Sequence, residues 1–265
     1  MDLSLKKTYI MGILNITPDS FSDGGQYIHL DQALAHAEQM IAEGADIIDI
    51  GGESSRPGAA PVPEAEELDR VIPLIDRLKK LGVPISIDTY KPRVAALALE
   101  HGATILNDIT GLQNPDMVKV VARFHAPVIL MHMRGTPQTM QQNPAYSDVI
   151  TDIKTFFKKQ LAIAHAAGIT DIILDPGLGF GKTLEHNLTI LKGLNEFTDL
   201  GYPLLIGPSR KSFIGTLTGL PVEDRLEGSI AATVIAALNG AKIIRVHDVK
   251  ESKRALQIVD AVKNN

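Results

Sequence analysis

Short runs of Ile, Leu and Val recur along the 265 residues, and each stops in a burst of Gly, Pro, Asp, Asn, Lys, Arg or His. Ile47–Asp49 runs into GGESSRPG and Ile172–Asp175 into PGLGFGKT; Ile85–Asp88, Ile105–Asp108, Leu204–Lys211 and Ile243–Asp248 end in the same manner. The runs lack two-fold alternation, which is how strands buried on both faces of a parallel sheet read. Strands are predicted at Tyr9–Leu14, Ile47–Ile50, Ile85–Asp88, Thr104–Asn107, Val128–Met131, Ile172–Asp175, Leu204–Gly207 and Ile243–Val246. Helices are predicted at Asp31–Glu43 with Gly44 as the cap, at Glu64–Leu81, between Pro92 and Gly102, at Val149–Ala167, over the small apolar stretch Ser229–Leu238, and near Lys250–Val262. Strict alternation of strands and helices favours a closed (β/α)8 TIM barrel over a doubly wound open sheet, though pattern alone leaves the second open. In a barrel all the polar strand ends open onto one face, where active sites are built.

Composition narrows the picture. The length suits one barrel over residues 1–265, and Pro and Gly are spread rather than pooled into a linker. There is no cysteine, which excludes disulfides, thiolate catalysis and Cys-ligated metals. The net charge of −5 offers no footprint for nucleic acid or an anionic membrane. No apolar run reaches transmembrane length, and an early Asp2 and Asn15 leave no room for a secretory signal, so a soluble, cytoplasmic protein is expected.

The polar clusters carry the candidate chemistry. Asp175–Thr183 (DPGLGFGKT) is not a P-loop, because Pro176 stands where the first Gly belongs; nor is it a dinucleotide fingerprint, which would need Gly at Lys182. Its three glycines imply unusual backbone angles or close approach to a ligand, or else only a tight turn capped by Asp175. Ser209-Arg210-Lys211-Ser212 follows strand seven, where barrels often bind phosphate, although surface cations are commonly just solvated. Arg245 and His247 alternate and so share one side of strand eight, pairing a guanidinium fork with an imidazole. Asp88, Asn107 and Asp175 end strands three, four and six. Each alone could be a helix cap, but together they offer acceptors to a flat heterocycle bearing N–H groups. The polar loops at 15–25 and 53–58 read as lids or as ordinary surface turns. No HExxH or EF-hand spacing is present, yet Mg²⁺ shared with a diphosphate needs only one or two protein oxygens.

Taken together, GILNITPDSFSDGG, GADIIDIGGESSRPGA, ISIDT, ILNDITG, DPGLGFGKT, GPSRKSFIG, RLEGS and IIRVHD, in this order from Gly12 to Asp248, resemble the dihydropteroate synthases of folate biosynthesis. The resemblance implies a β/α-barrel transferase, commonly a homodimer and a sulfonamide target. Such an enzyme condenses 6-hydroxymethyl-7,8-dihydropterin diphosphate with 4-aminobenzoate, with Mg²⁺ assisting. It implies that Asp88, Asn107, Asp175 and Lys211 hold the pterin, and that Asn15, Arg245 and His247 bind diphosphate, Asn15 also touching the metal. Ser55, Arg56, Pro57, Phe180, Lys211 and Ser212 would shape the aminobenzoate pocket. Phe21 and Asp23 would shield or stabilise a pterin cation formed as diphosphate leaves. The family usually has Thr where Ser55 stands, so the hydroxyl is kept and a methyl is lost.

Three other readings start from the same residues. A methyltetrahydrofolate-binding methyltransferase domain would share the Asp/Asn acceptors but lack SRKS and RVHD. A Schiff-base lyase would use Lys211 as nucleophile and need its pKa depressed. A binding protein could keep the pocket without turnover.

Overall fold

The computed structural model describes residue 3 and residues 6–16, 26–56 and 58–265, with the side chains of 26–29 excepted. Phe21, Asp23 and Pro57 lie outside the described residues. Eight parallel strands close into a barrel in chain order: β1 (Tyr9–Asn15), β2 (Ile47–Gly51), β3 (Ile85–Asp88), β4 (Ile105–Asp108), β5 (Val128–Met131), β6 (Ile172–Asp175), β7 (Leu204–Ile206) and β8 (Ala241–Val246). Closure is made by β8 returning to β1, with Tyr9 opposite Ile243 and Met11 opposite Arg245. This settles the choice that periodicity leaves open, in favour of the barrel.

The surrounding helices are α1 (Gln26–Glu43), α2 (Glu64–Leu78), α3 (Pro92–His101), α4 (Pro115–Phe124), α5 (Val149–Ala166), α6 (Leu184–Lys192), α7 (Ser212–Thr218), α8 (Leu226–Leu238) and α9 (Val249–Asn264). The sequence pattern does not draw α4, α6 and α7, which are short: ten, nine and seven residues. Their signals are mostly terminal, such as Asn114 accepting from the Asp116 amide, or the reciprocal Thr183–His186 capping box. Boundaries shift elsewhere: α1 starts at Gln26 rather than Asp31, α8 at Leu226 rather than Ser229, and the expected last turn of α2 is a 3₁₀ turn, Lys79–Leu81. Among the described residues no helix is long and apolar enough to cross a membrane.

The strand pleat explains both the missing alternation and the position of the site. Tyr9, Met11, Ile47, Ile105, Ile129, Ile173, Leu205 and Ile243 form an apolar plug inside the barrel. The intervening Ile48, Leu106, Leu130, Leu174, Ile206 and Ile244 pack outward into the core shared with the helices. Each fully buried residue of this kind contributes roughly 1.5–3 kcal/mol over exposure. Both faces are therefore apolar until the last inward step. Two residues beyond the plug the strands point inward again, and there the residues are Asp49, Asn107, Met131, Asp175 and Arg245. One pleat converts an apolar plug into a polar floor.

Candidate active site

The floor is a bonded set of charges. Arg245, on β8, donates from Nε to Asp49 Oδ2 at 2.6 Å and from Nη2 to Asp88 Oδ2 at 2.8 Å. Asn107 Nδ2 donates to the same Asp49 oxygen at 3.2 Å. Asp49 is completely buried, and its Oδ1 has no hydrogen-bond partner among the described residues. Burial pushes the Asp88 carboxyl up; the guanidinium pulls it back, and neighbouring Asp49 adds to the rise. Gly207 stands at the matching place after β7, where a Cβ would rest in ordinary contact with Arg245, 3.7 Å from its Cβ.

Asp175 forms the adjoining wall. Its Oδ1 accepts the Gly177 N–H at 2.7 Å. Burial raises its pKa, opposed by that bond and by the charges of Lys211, Lys182 and Arg245. The glycines that follow serve the protein's own backbone. Gly177, Gly179 and Gly181 all have positive φ, of 70°, 81° and 64°. A Cβ on Gly177 would sit 2.1 Å from the His132 carbonyl oxygen, and one on Gly181 would sit 2.5 Å from that of Arg134. The loop is thus pressed onto the end of β5, a fit only glycine permits. It delivers Phe180 to the mouth, where the Lys211 ammonium lies 4.0 Å from the ring centroid.

The β7 and β8 ends hold the remaining cations. Burial pulls Lys211 down to about 8, with Asp175 counteracting. Arg210, whose φ is +57°, turns to Asp248 and pairs with both its carboxylate oxygens. The SRKS segment is therefore not a single anion site, as its composition implies: Arg210 is spent on Asp248. Arg225 of the RLEGS segment braces the turn from below, donating to the Arg210 carbonyl at 3.1 Å. Ser209 Oγ accepts the His247 backbone N–H at 3.2 Å and lies 3.0 Å from its Nδ1. Burial, with Arg245 and Arg210 nearby, lowers the His247 pKa to about 3, so the imidazole is neutral.

Of the lid residues, Asn15 sits half-buried at the end of β1, its Oδ1 3.2 Å from where a Cβ on Gly51 would lie. Ser55 is half-buried, and Arg56 and Ser212 are exposed. The structure thus brings Asp88, Asn107, Asp175, Lys211, Phe180, Arg245 and His247 to one barrel mouth.

Comparison with known proteins agrees with this geometry. A family model described as pterin binding enzyme matches residues 11–247. Dihydropteroate synthase from Escherichia coli (strain K12) is 50% identical over 262 residues, covering 98% of this chain and 93% of the relative. The chain belongs to the dihydropteroate synthase family. Among solved structures, a Yersinia pestis dihydropteroate synthase in a sulfonamide drug complex superposes with a TM-score of 0.94 at 50% identity, covering 100% of this chain and 97% of that one. A Xanthomonas albilineans dihydropteroate synthase in complex with 7,8-dihydropteroate gives 0.90 at 41%, covering 100% and 96%. These matches overturn the methyltransferase and lyase readings of the sequence.

Within a dihydropteroate synthase mouth, several residues here escape motif reading. Asp49 ends an apolar run just as Asp88 does, and counting two residues on from Ile47 would have placed it inside. Lys182 is buried and donates to His132 Nδ1, the His132 carbonyl and the Phe180 carbonyl at 3.1, 3.2 and 2.9 Å, one acceptor for each ammonium proton. Burial lowers its pKa to about 7 and that of His132 to about 2. No sequence signal separates such a lysine from a solvated one; only packing does.

Proposed function

We propose that this barrel mouth joins 6-hydroxymethyl-7,8-dihydropterin diphosphate to 4-aminobenzoate, the reaction of its family, with each substrate held by a distinct set of strand ends. The observation that carries the reading is the buried, acceptor-rich floor. Asp49, Asp88 and Asp175, with Asn107, face Arg245 and Lys211 as cations, and Asp175 also feels the charge of Lys182. An aminopterin ring presents N–H groups that such acceptors satisfy, and a ring without them would leave buried polar groups unpaired. Asp175 keeps its second oxygen for the ring, and Lys211 donates toward the ring carbonyl.

The C–O bond of the pterin CH₂ group then breaks, and its electron pair leaves with diphosphate. The ring stabilises the cation, the aminobenzoate nitrogen attacks it, and that nitrogen loses a proton. No protein nucleophile is needed; the protein's work is positioning and charge stabilisation. Arg245 spends two of its five N–H groups on Asp49 and Asp88, leaving three for the leaving group. The buried Ser209 hydroxyl has no other acceptor among the described residues, so it donates to His247 Nδ1 and leaves the ring proton on Nε2 for a diphosphate oxygen. Ser55, Arg56 and Ser212, with Phe180, form the rim at which aminobenzoate enters.

Mg²⁺ fits this mouth as a substrate-borne ion. Among the described residues no group of three or more acidic or histidine side chains could cage a metal. The Asn15 amide oxygen is a single hard donor, which would hold the ion together with diphosphate oxygens. When bound, the ion supplies further neutralisation of leaving-group charge.

Purified protein given pterin diphosphate, 4-aminobenzoate and Mg²⁺ should yield dihydropteroate; pterin binding without condensation would overturn the reaction while sparing the fold. Above about pH 8, kcat/KM for the pterin should fall tenfold per pH unit as Lys211 loses its proton. In Lys211→Arg the falling limb should move beyond pH 10 because guanidinium stays charged; a limb that stays in place assigns it to another group, such as Lys182.

The reading includes a homodimer in the cytoplasm. Leu217 and Leu220, Ile235 and Leu238 on α8, and Ile258 and Val262 on α9 are exposed on neighbouring parts of the surface, and Ile258 is 68% accessible. An apolar area of this kind marks an interaction face. Sedimentation of the Ile235→Asp/Leu238→Asp variant should show a monomer where the parent is a dimer.

A further inference from the structure

The loop between β2 and α2 carries Ser55 and Arg56, and its two ends are tied together by one side chain from outside it. Lys91, at the start of α3, spends its three ammonium protons on Glu53 Oε2, Glu67 Oε2 and the Val62 carbonyl, the last at 2.6 Å. Glu53 Oε2 also accepts the Val62 N–H at 3.1 Å, and Glu53 Oε1 accepts the Tyr90 hydroxyl at 2.8 Å. Residues 53 and 62 are thus joined directly and through Lys91, which closes the eight residues between them into a neck. The neck is dry for a loop: the Lys91, Glu53 and Glu67 side chains are 14%, 10% and 1% accessible. A second brace comes from α2, where Arg70 Nη1 donates to the Gly52 carbonyl at 2.7 Å. At its far side the loop meets the segment after β5, with Gly58 N–H donating to the Pro137 carbonyl at 3.1 Å.

We propose that Lys91 is a positioning residue for the second substrate: by clamping the neck of the β2–α2 loop it sets where Ser55 and Arg56 meet 4-aminobenzoate. This rests on the functional reading above. Lys91 lies three residues after Asp88, so the same short segment that ends in a pterin acceptor also fixes the neighbouring rim. The two roles are mechanically separate. Asp88 is held by Arg245, whereas the Lys91 ammonium hydrogen-bonds to Glu53 and Val62 of the neck and to Glu67 of α2, and lies 5.4 Å from the Tyr90 ring centroid. Freeing the neck should therefore loosen the aminobenzoate rim and leave the floor intact. A cation serves better than a neutral donor because two carboxylates converge on it, and each would otherwise be buried without a countercharge.

Steady-state kinetics of Lys91→Met test this. KM for 4-aminobenzoate should rise about tenfold, while KM for pterin diphosphate and kcat stay within about threefold. Lys91→Arg, which keeps the charge, should return KM for 4-aminobenzoate to within about threefold of the parent. Lys91→Met strands two carboxylates, so the Lys91→Met/Glu67→Gln double variant removes one of them and should show the same split with better folding. Should both fail to fold, Tyr90→Phe deletes only one bond to Glu53 and should raise the same KM by about threefold. The proposal is overturned if, in folded Lys91→Met, Lys91→Met/Glu67→Gln or Tyr90→Phe, both KM values rise together or the aminobenzoate KM stays within twofold. Absence of turnover in the parent protein would instead remove the functional reading itself.

Discussion

Replacing Asp175 by Asn is expected to weaken binding of the pterin diphosphate by about 10²–10³-fold, or about 3–4 kcal/mol, while the protein stays folded. The remaining amide oxygen still accepts the Gly177 N–H, so the loop after β6 keeps its anchor. What is lost is the second oxygen, which becomes an NH₂ group facing the ring's own N–H donors. A hydrogen bond to a charged group is worth about 1.5–3 kcal/mol, and a buried donor left facing a donor adds the cost of an unmade bond. The substitution also removes the carboxylate that keeps Lys211 protonated. The alkaline limb of kcat/KM should then move to lower pH. Asp175→Ala should abolish pterin binding. Calorimetry showing parent-like affinity in either variant would refute the assignment of Asp175 to the pterin.

Arg245→Met is expected to strike both stability and turnover. It leaves Asp49 and Asp88 buried with no guanidinium between them. Breaking a buried ion pair from one side costs about 3–5 kcal/mol, which for a chain of this size lowers Tm by roughly 10 °C. The effect has a pH sign. Burial already raises the Asp88 carboxyl above its ordinary value, and without Arg245 it rises further. The folded state then holds a proton that the unfolded state releases, so stability is present at acid pH and lost as pH climbs through the raised pKa. Urea unfolding should therefore show a larger deficit at pH 8 than at pH 5.5; equal deficits would mean that the carboxylates are not what Arg245 neutralises. Turnover should fall by about 10³-fold, since the principal donor to the leaving group is gone. Adding Asp49→Asn should recover much of the stability and none of the turnover, which separates the two roles.

That double role is one that motif reading could not deliver. RVHD identifies Arg245 and His247 as a pair on one side of a strand, and the two-residue spacing does put them both inward. It does not say that Arg245 reaches across the barrel to β2 and β3, residues 196 and 157 positions away. The same holds for Arg210, which by composition looks like half of an anion site and in space belongs to Asp248. In the glycine-rich stretch, three glycines announce a constrained backbone, and at Gly177 and Gly181 the constraint is the carbonyls of His132 and Arg134, while Gly179 lies against the Lys211 side chain. Each of these depends on a partner distant along the chain.

The strands, by contrast, were legible almost to the residue. β3, β5 and β6 have the expected limits, and the others differ by one or two positions. The reason is local: an apolar run stops where the chain leaves the barrel, and Gly, Pro and capping residues mark that point. The acceptors Asp88, Asn107 and Asp175, the cations Lys211 and Arg245, and the His247 imidazole were legible too, because each sits at such a stop. Sequence by itself thus determined the alternation of strands and helices, the polar mouth and, through its ordered motifs, the family. Closure of the barrel, the sharing of Arg245 between two carboxylates, the neutral state of His247 and the Lys91 neck were decided only by tertiary structure. They rest on distances between strand ends and on burial, and neither exists until the eighth strand pairs with the first.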